Sequence, residues 1–266
     1  MKDRQRDVAF CGYAAVYDGH NGMLAAEIAQ QGMTRHLTAH EHLPANEMLL
    51  SAFEKMESEI ITRTLAVGQE DGSTAVVAYF KTDDLYIANL GDCRAVLSSD
   101  NVGNKRISID HKPDLKTEKT RIEKAGGHVI HSGCWRVGHP NIGIRLAVSR
   151  SFGDPRLKVN LPDNCTAPLV SSIPTIFHHK LSGKEDFLIL ASDGLWDRIS
   201  DEDACKYVRR AIAGKSGKER EQCAAEYLVE KALEKRSVDN ISVTVLMFNW
   251  KKVQEERQEG EEEDDV

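Results

Sequence analysis

The sequence predicts an α+β fold in which two antiparallel β-sheets stack on one another and helices cover their outer faces, an α-β-β-α sandwich. Three observations lead to this fold class. Runs of β-type residues are joined by links of a few residues, which favour antiparallel neighbours because a parallel crossover needs a dozen or more. Helical stretches follow one another in pairs between these runs. No internal repeat or linker divides the 266 residues, so one domain is predicted.

The first half of the chain starts with a strand and continues with two helices and three strands. The first strand is the apolar run that begins at Tyr13 and stops at Asp18. The two helices are predicted at 22–36 and 46–67, and in the second the apolar residues recur at spacings of three and four, which places them on one face. The three β-type runs are STAVVAYF (73–80), DLYIANLG (84–91) and CRAVLSSD (93–100).

The second half is irregular at first and then returns to the same alternation. Residues 101–185 are rich in loop residues and contain one helix, at 115–125, which ends at a Gly-Gly pair. The run FLILAS (187–192) is typical of a buried strand. Ser200 and Asp203 give the S-x-x-D signal of a helix start, a further helix is predicted at 219–235, and NISVTVLMF (240–248) is the last strand.

Composition narrows the class of protein. With 41% hydrophobic and 29% charged residues, the chain has the composition of a soluble globular protein, and no apolar run approaches the roughly 20 residues that span a bilayer. Residues 251–266 hold three basic and eight acidic residues, a net charge of -5, which leaves only -2 for residues 1–250. The nearly neutral body argues against a nucleic-acid surface, and the acidic end is typical of a disordered tail. Six scattered cysteines without a secretory signal predict reduced thiols and a cytoplasmic or nuclear protein.

Three predicted strands abut an aspartate: Asp18 ends one, Asp193 follows a second and Asp239 precedes a third. If these strand ends meet at one edge, the carboxylates repel one another unless a cation holds them, and an all-oxygen set selects hard ions such as Mg²⁺ or Mn²⁺. Two such ions can lower the pKa of a shared water and direct it at a phosphorus atom. His20, beside Asp18, has the right ordinary pKa to protonate the departing alkoxide.

Other interpretations of the same residues are weaker. A single Asp-Gly after a strand is usually a turn, but DGHNG, NLGDCR, SRSFGD, ASDGLWD and VDN occur in this order over more than two hundred residues. An aspartyl-phosphate mechanism needs a D-x-D arrangement that Asp18-Gly19-His20 lacks. The histidines in HLTAHEH do not form the H-E-x-x-H zinc signature and are more typical of a solvated helix end.

With these runs, the sequence closely resembles the metal-dependent protein phosphatases, the PPM family of type 2C serine/threonine phosphatases. The resemblance covers nearly the whole chain except the tail. It implies an α-β-β-α sandwich, a centre that holds two Mg²⁺ or Mn²⁺ ions and a weaker third, and hydrolysis of phosphoserine and phosphothreonine in proteins without a covalent phosphoenzyme. A monomer acting on phosphoproteins, with no nucleic-acid or membrane partner, is expected. The matching segments are VYDGHNG (16–22), DGSTAVVA (71–78), LYIANLGDCRAVL (85–97), DHKPDLKTEKTRIEKAGGHV (110–129), LAVSRSFGD (146–154), FLILASDGLWD (187–197) and VDNISVTVL (238–246).

The resemblance also implies a role for individual residues. Asp18 corresponds to the carboxylate that bridges both metals, Gly19 offers a carbonyl ligand, and Asp193 and Asp239 correspond to terminal ligands of one metal. His20 corresponds to the general acid, and the segment 133–180 to a mobile flap beside the cleft. The positions expected to hold the third metal or to form the outer shell are Asp3, Asp92, Asp197 and Asn240.

The N-terminus departs from the family pattern. Met1-Lys2-Asp3 resembles a Met-Glu-Asp triplet with Lys2 where Glu is expected, and the resemblance implies a phosphate-gripping Arg and a first strand ahead of this triplet. An incomplete gene model, a truncated isoform and a weakened enzyme are all compatible with this departure. A lysine near the metals would oppose them electrostatically, and a lost cationic contact to phosphate costs binding free energy. Two hypotheses follow for a phosphatase domain at 1–250 with an acidic tail at 251–266. One is an active Mg/Mn-dependent enzyme, and the alternative is a weakened or inactive pseudophosphatase that acts as a regulatory binding protein.

Overall fold

The computed structural model describes residues 11–99, 103–216 and 219–250, and the predicted strands and helices follow one another there in the predicted order, with α4 and several short strands in addition. Residues 1–10, with Lys2 and Asp3, and the acidic tail at 251–266 lie outside the described residues. The helices are α1 (Leu24–Ala39), α2 (Ala45–Ala66), α3 (Lys116–Lys124), α4 (Asp193–Trp196), α5 (Asp201–Ile212) and α6 (Glu219–Glu234). The strands are β1 (Cys11–His20), β2 (Gly72–Lys81), β3 (Asp84–Leu90), β4 (Arg94–Ser99), β5 (Gly103–Arg106), β6 (His128–Ser132), β7 (Cys134–Gly138), β8 (Arg145–Leu146), β9 (Phe152–Gly153), β10 (Thr175–Lys180), β11 (Glu185–Ala191) and β12 (Val243–Met247).

Two antiparallel sheets form the centre of the protein. The first, which we call sheet A, has the strand order β1-β2-β3-β10, and the short β9 pairs with β2. The second, sheet B, has the order β12-β11-β4-β5. All pairings in both sheets are antiparallel, as the short links between predicted strands required.

The apolar residues of the central strands divide into three layers. In β2, Val76, Ala78 and Phe80 face sheet B, whereas the alternate residues of the same strand face α1 and α2. In β11, Leu188 and Leu190 face sheet A, whereas the alternate residues face α5 and α6. Because side chains of a strand alternate between two faces, strands that are apolar throughout must be covered on both sides. The layers therefore run helices, sheet A, sheet B, helices, and the predicted fold class is confirmed.

The helices that cover the sheets begin and pack as their sequences predict. In α2, Leu49, Phe53, Met56 and Ile60 are all fully buried against sheet A, on the single stripe that their spacing indicated. Ser200 is the N-cap of α5 and accepts a hydrogen bond from the backbone N–H of Asp203 at 3.1 Å. No helix among the described residues is both apolar enough and long enough to cross a lipid bilayer.

The region between residues 101 and 185 is more ordered than its composition indicated. Besides α3, it contains the small antiparallel sheet β6-β7-β8, together with β5, β9 and β10. A separate small core holds α3 against this sheet and includes Ile122, Val137 and Leu169. These strands are two to six residues long and rich in polar residues, so their periodicity was too short to detect from the sequence.

Candidate metal centre

Three strand ends of sheet B meet at one edge of the molecule. Ala191, the last residue of β11, pairs with Val243 at the start of β12 and with Arg94 at the start of β4. In the chain, Asp193 lies just beyond Ala191, and Asp239 lies just ahead of Val243. The register therefore brings the ends that carry these two aspartates to the same edge, as the sequence predicted.

The approach of the Asp239 segment to α4 depends on a missing side chain. A β-carbon on Gly194 would lie 2.2 Å from the carbonyl oxygen of Asn240, which is a backbone atom that cannot swing away. That same carbonyl accepts a hydrogen bond from Ser192 Oγ at 3.1 Å. The glycine after Asp193 therefore allows the two segments to touch.

Sheet A contributes its acidic residues at the same edge. Asp18, near the end of β1, pairs with Thr74 near the start of β2. The start of β2 pairs on its other side with the end of β3. The corner between β3 and β4 holds Asp92, which is 3% exposed. This corner connects the two sheets, and the charge of Asp92 acts on both Asp18 and Asp193.

Asp18 and Asp193 form the centre of the acidic cluster, which we define as Asp18, Asp92 and Asp193. Asp193 lies within hydrogen-bonding reach of Asp18. Burial raises the pKa of Asp18 to about 6, and the charges of Asp92 and Asp239 add to this shift. Burial and the charge of Asp92 raise the pKa of Asp193 to about 7. Two carboxylates in contact repel unless a proton or a cation lies between them, so this pair fits a hard divalent ion.

The other predicted ligands lie at the rim of the cluster. Asp239 is exposed, and its Oδ1 accepts a hydrogen bond from the backbone N–H of Asn240 at 2.8 Å, while its charge acts on Asp18. Asp197 is exposed, and its charge acts on Asp193. Among the described residues, no group of three or more His, Cys, Asp or Glu side chains has the spacing of a complete set of metal ligands. Asp18 and Asp193 are thus in contact, Lys112 pairs with both Asp92 and Asp193, and the charges of Asp197 and Asp239 act on this pair.

Lys112 adds a positive charge to the acidic cluster that the sequence did not lead us to expect. Its ammonium forms an ion pair with Asp92 and lies 3.5 Å from Oδ2 of Asp193. Burial by itself would lower the pKa of Lys112, but the two carboxylates outweigh it and hold the pKa above its ordinary value. Lys112 lies in the matching segment 110–129, but nothing in the spacing of that segment indicates a contact with Asp92.

His20 is half-buried at the end of β1, and its ring is held by one side chain. Its Nε2 lies 2.8 and 3.0 Å from the two carboxylate oxygens of Asp154, which is itself 1% exposed. Burial alone would lower the pKa of His20, but the hydrogen bond and charge of Asp154, together with the charges of Asp92 and Asp18, raise it above its ordinary value. The sequence named His20 but gave no role to Asp154, which lies 134 residues away.

Comparison with protein families gives one match over most of the chain. The sequence model described as protein phosphatase 2C matches residues 6–241. Probable protein phosphatase 2C 69 from Arabidopsis thaliana is 38% identical over 245 residues, which are 91% of this chain and 62% of that protein. Probable protein phosphatase 2C 52 from Oryza sativa subsp. japonica is 37% identical over 242 residues, 90% of this chain and 44% of that protein. The chain therefore spans less than two thirds of the length of each of these relatives.

Solved structures share the fold. A C. elegans sex determining protein superimposes with a TM-score of 0.79 at 24% identity, covering 94% of this chain and 60% of that one. The serine-threonine phosphatase 2C from Toxoplasma gondii gives a TM-score of 0.72 at 22% identity, covering 90% of this chain and 85% of that one. At these identities, the likeness shows that the sandwich architecture is common to all three chains.

Proposed function

Because this chain belongs to the protein phosphatase 2C family, we propose that it hydrolyses phosphoserine and phosphothreonine esters in proteins. The observation that carries the proposal is the meeting of Asp18, Asp92 and Asp193 from three separate strand ends, with pKa values of Asp18 and Asp193 raised to about 6 and about 7. Burial is the main cause of both shifts, and the charges of the neighbouring carboxylates add to it. A structural role alone would not require acidic groups to be crowded at an open edge.

We propose that this cluster binds Mg²⁺ or Mn²⁺ ions, two tightly held and a third more weakly. Asp18, the carbonyl of Gly19, Asp193 and Asp239 would hold the first two, and Asp92 and Asp197 would hold the third, with Asn240 behind them. The donor set fits because it is all oxygen and two of its carboxylates lie within hydrogen-bonding reach of each other. When bound, such ions supply Lewis-acid chemistry that favours attack of water on a phosphate ester.

His20 would serve as the general acid of this reaction. Its side chain is 26% exposed, so a substrate can reach it from solvent, and its pKa, raised above the ordinary value, favours the protonated ring that a general acid needs. The departing seryl or threonyl oxygen is strongly basic and needs that proton. The partners of this activity are phosphoproteins, and we propose a monomer in the cytoplasm or nucleus.

The test is turnover of a phosphothreonine peptide by the full chain with Mn²⁺. We expect release of phosphate that chelation abolishes, and a loss of about 10²-fold or more in Asp193→Asn, since removing one carboxylate weakens transition-state stabilisation by several kcal/mol. Glu47→Gln, which changes an exposed carboxylate in the first turn of α2, is the control and should retain full activity.

The same assay distinguishes the proposed hydrolysis from the alternative hypothesis. A folded wild-type protein that takes up Mn²⁺ only weakly, measured by calorimetry, and releases no phosphate from the peptide would contradict the proposed hydrolysis. That outcome would favour a pseudophosphatase that acts as a regulatory binding protein.

A further inference from the structure

The contact between His20 and Asp154 joins the end of β1 to the loop after β9. Both carboxylate oxygens of Asp154 lie within 3.0 Å of the same ring nitrogen, Nε2. Among the described residues, no hydrogen bond involves the other ring nitrogen, Nδ1. A neutral imidazole carries one proton and an imidazolium two, so the nitrogen that faces a carboxylate keeps its proton and acts as a donor to it. This arrangement leaves Nδ1 as the atom that can give a proton to a substrate.

Asp154 is itself held from several sides. Ser151 Oγ donates a hydrogen bond to its Oδ2, and its own backbone N–H donates to the carbonyl of Asp71 at 3.0 Å. Its backbone has a φ of 52°, a left-handed conformation that few residues other than glycine adopt. A β-carbon on Gly72 would lie 2.1 Å from Asp154 Oδ2 and 2.2 Å from His20 Nε2, so the contact needs a glycine opposite it.

The loop that carries Asp154 is fixed to helix α2. Glu57 on this helix accepts a hydrogen bond from the backbone N–H of Gly153 at 2.9 Å. It also forms an ion pair with Lys158 Nζ at 2.7 Å. Lys158 Nζ also donates to the carbonyl of Ser151 at 2.7 Å. Ser151, Gly153 and Lys158 surround Asp154 in the chain, so its carboxylate has little freedom to move away from His20.

We propose that Asp154 is a positioning residue that orients His20 and fixes its proton-donating nitrogen as Nδ1. The inference rests on the proposed function. In the step, water attacks phosphorus and the P–O bond to the serine or threonine breaks with its electron pair on the leaving oxygen. That oxygen takes the Nδ1 proton, and His20 becomes neutral with its remaining proton on Nε2, still donated to Asp154. The proton lost by the attacking water enters solvent and balances the one that later returns to Nδ1.

The consequence can be tested by changing the leaving group. An alkoxide from a phosphothreonine peptide needs a general acid, whereas the phenoxide from p-nitrophenyl phosphate is a weak base that leaves without one. With Mn²⁺, we expect Asp154→Asn to lower kcat on the peptide by about 10²-fold with little change in KM, because an amide at this position no longer selects the same tautomer. On p-nitrophenyl phosphate the loss should be under about threefold.

A double variant separates positioning from a general structural effect. His20→Gln should show the same preference for the aryl phosphate, and Asp154→Asn added to His20→Gln should cost no further peptide turnover if Asp154 acts only through His20. Ser151→Ala keeps both groups but removes a hydrogen bond to Asp154, and it should lower peptide turnover several-fold in the same selective way. This variant keeps the inference testable if Asp154→Asn does not fold.

The matched control is Glu185→Gln. Glu185 is also a buried carboxylate, 5% exposed, that accepts backbone hydrogen bonds from 182–184, but it lies at the opposite end of β11 from the acidic cluster. Glu185→Gln should leave the ratio of the rates on the peptide and on p-nitrophenyl phosphate unchanged.

Equal losses on both substrates in Asp154→Asn, or a full further loss in the double variant, would overturn the positioning role while wild-type turnover still supports the proposed function. A wild-type protein inactive on both substrates would instead overturn the proposed function and this inference with it.

Discussion

At the level of single residues, Lys112 is the side chain that most changes the electrostatics of the acidic cluster. It neutralises part of the charge of Asp92, whose side chain is 4% exposed, and lies 3.5 Å from Asp193 Oδ2. A divalent ion bound by Asp92 would have to displace or tolerate this ammonium, because both would compete for the same carboxylate oxygens. Lys112 therefore acts as an internal counter-ion when no metal is present.

Replacing this lysine should have opposite effects on the metal-free and metal-bound protein. In Lys112→Met without metal, Asp92 is left buried without a counter-ion, and we expect a loss of about 1–3 kcal/mol, since 35% of the lysine side chain reaches solvent. Saturating Mn²⁺ should then raise the unfolding midpoint more than in the wild type. Thermal unfolding with chelator and with Mn²⁺ measures both the loss of stability and the shift of the midpoint. Lys206→Met removes an exposed ion pair and should change neither midpoint, and equal Mn²⁺ shifts in Lys112→Met and wild type would contradict the competition.

At the level of elements, α3 is tied to the sandwich through one buried carboxylate. Glu118 on this helix, whose side chain is 2% exposed, is held by Arg150 at 2.6 Å and Arg121 at 3.0 Å. Arg150 precedes the loop that carries Asp154, and Arg121 also donates to the carbonyl of Ser149 at 2.8 Å. The helix and this loop therefore share an electrostatic anchor as well as the small apolar core around Ile122.

The anchor predicts a dependence of stability on pH. Burial would raise the pKa of Glu118, but the two arginines outweigh it and lower the pKa from 4.5 to about 2. A carboxyl whose pKa is lower in the folded protein stabilises it above pH 4.5, and that contribution is lost as the pH falls from there towards about 2. Between about pH 5 and about pH 3 the wild type should lose about 2 kcal/mol from this group.

Urea unfolding at the two pH values measures the difference. In Glu118→Gln, the free energy of unfolding should be lower at the higher pH and should fall less on acidification than in the wild type. Glu123→Gln, which removes the exposed partner of Lys119 on the same helix, should keep the wild-type dependence. The same change with pH in Glu118→Gln and in the wild type would show that Glu118 is not the group responsible.

At the level of the whole molecule, the layer between the two sheets is the core that both halves of the chain share. Leu188 from β11 is fully buried there against residues of β2 and β3. Close packing in such a core allows little relaxation when a side chain is shortened. A change at this layer should therefore weaken the whole protein, rather than one sheet.

Leu188→Ala should cost about 2–5 kcal/mol, because it removes buried methyl groups and leaves a cavity. Val238→Ala is the control, since Val238 is 93% exposed and should change stability by less than about 0.5 kcal/mol. Urea unfolding followed by fluorescence and by circular dichroism should give coincident transitions with an unchanged m-value. Two separate transitions in the wild type would show that the sheets do not share one cooperative core.

The sequence by itself determined the local elements and the fold class. The stripe of Leu49, Phe53, Met56 and Ile60 predicted α2, and Ser200 with Asp203 predicted the start of α5, because helix periodicity and capping depend on residues a few positions apart. The strand ahead of Asp193 was visible for the same reason, whereas β1 continues two residues beyond its predicted end at Asp18, to His20. Periodicity did not reveal the short strands between 101 and 185, since two to six residues carry too little pattern.

Only the tertiary structure decided which side chains surround these aspartates. Lys112 reaches Asp92 across 20 residues, and His20 reaches Asp154 across 134. Such contacts depend on the register of the strands, on how the two sheets stack, and on glycines such as Gly72 that leave room for a close approach. None of these is encoded in local spacing, because each depends on the geometry of the two sheets together.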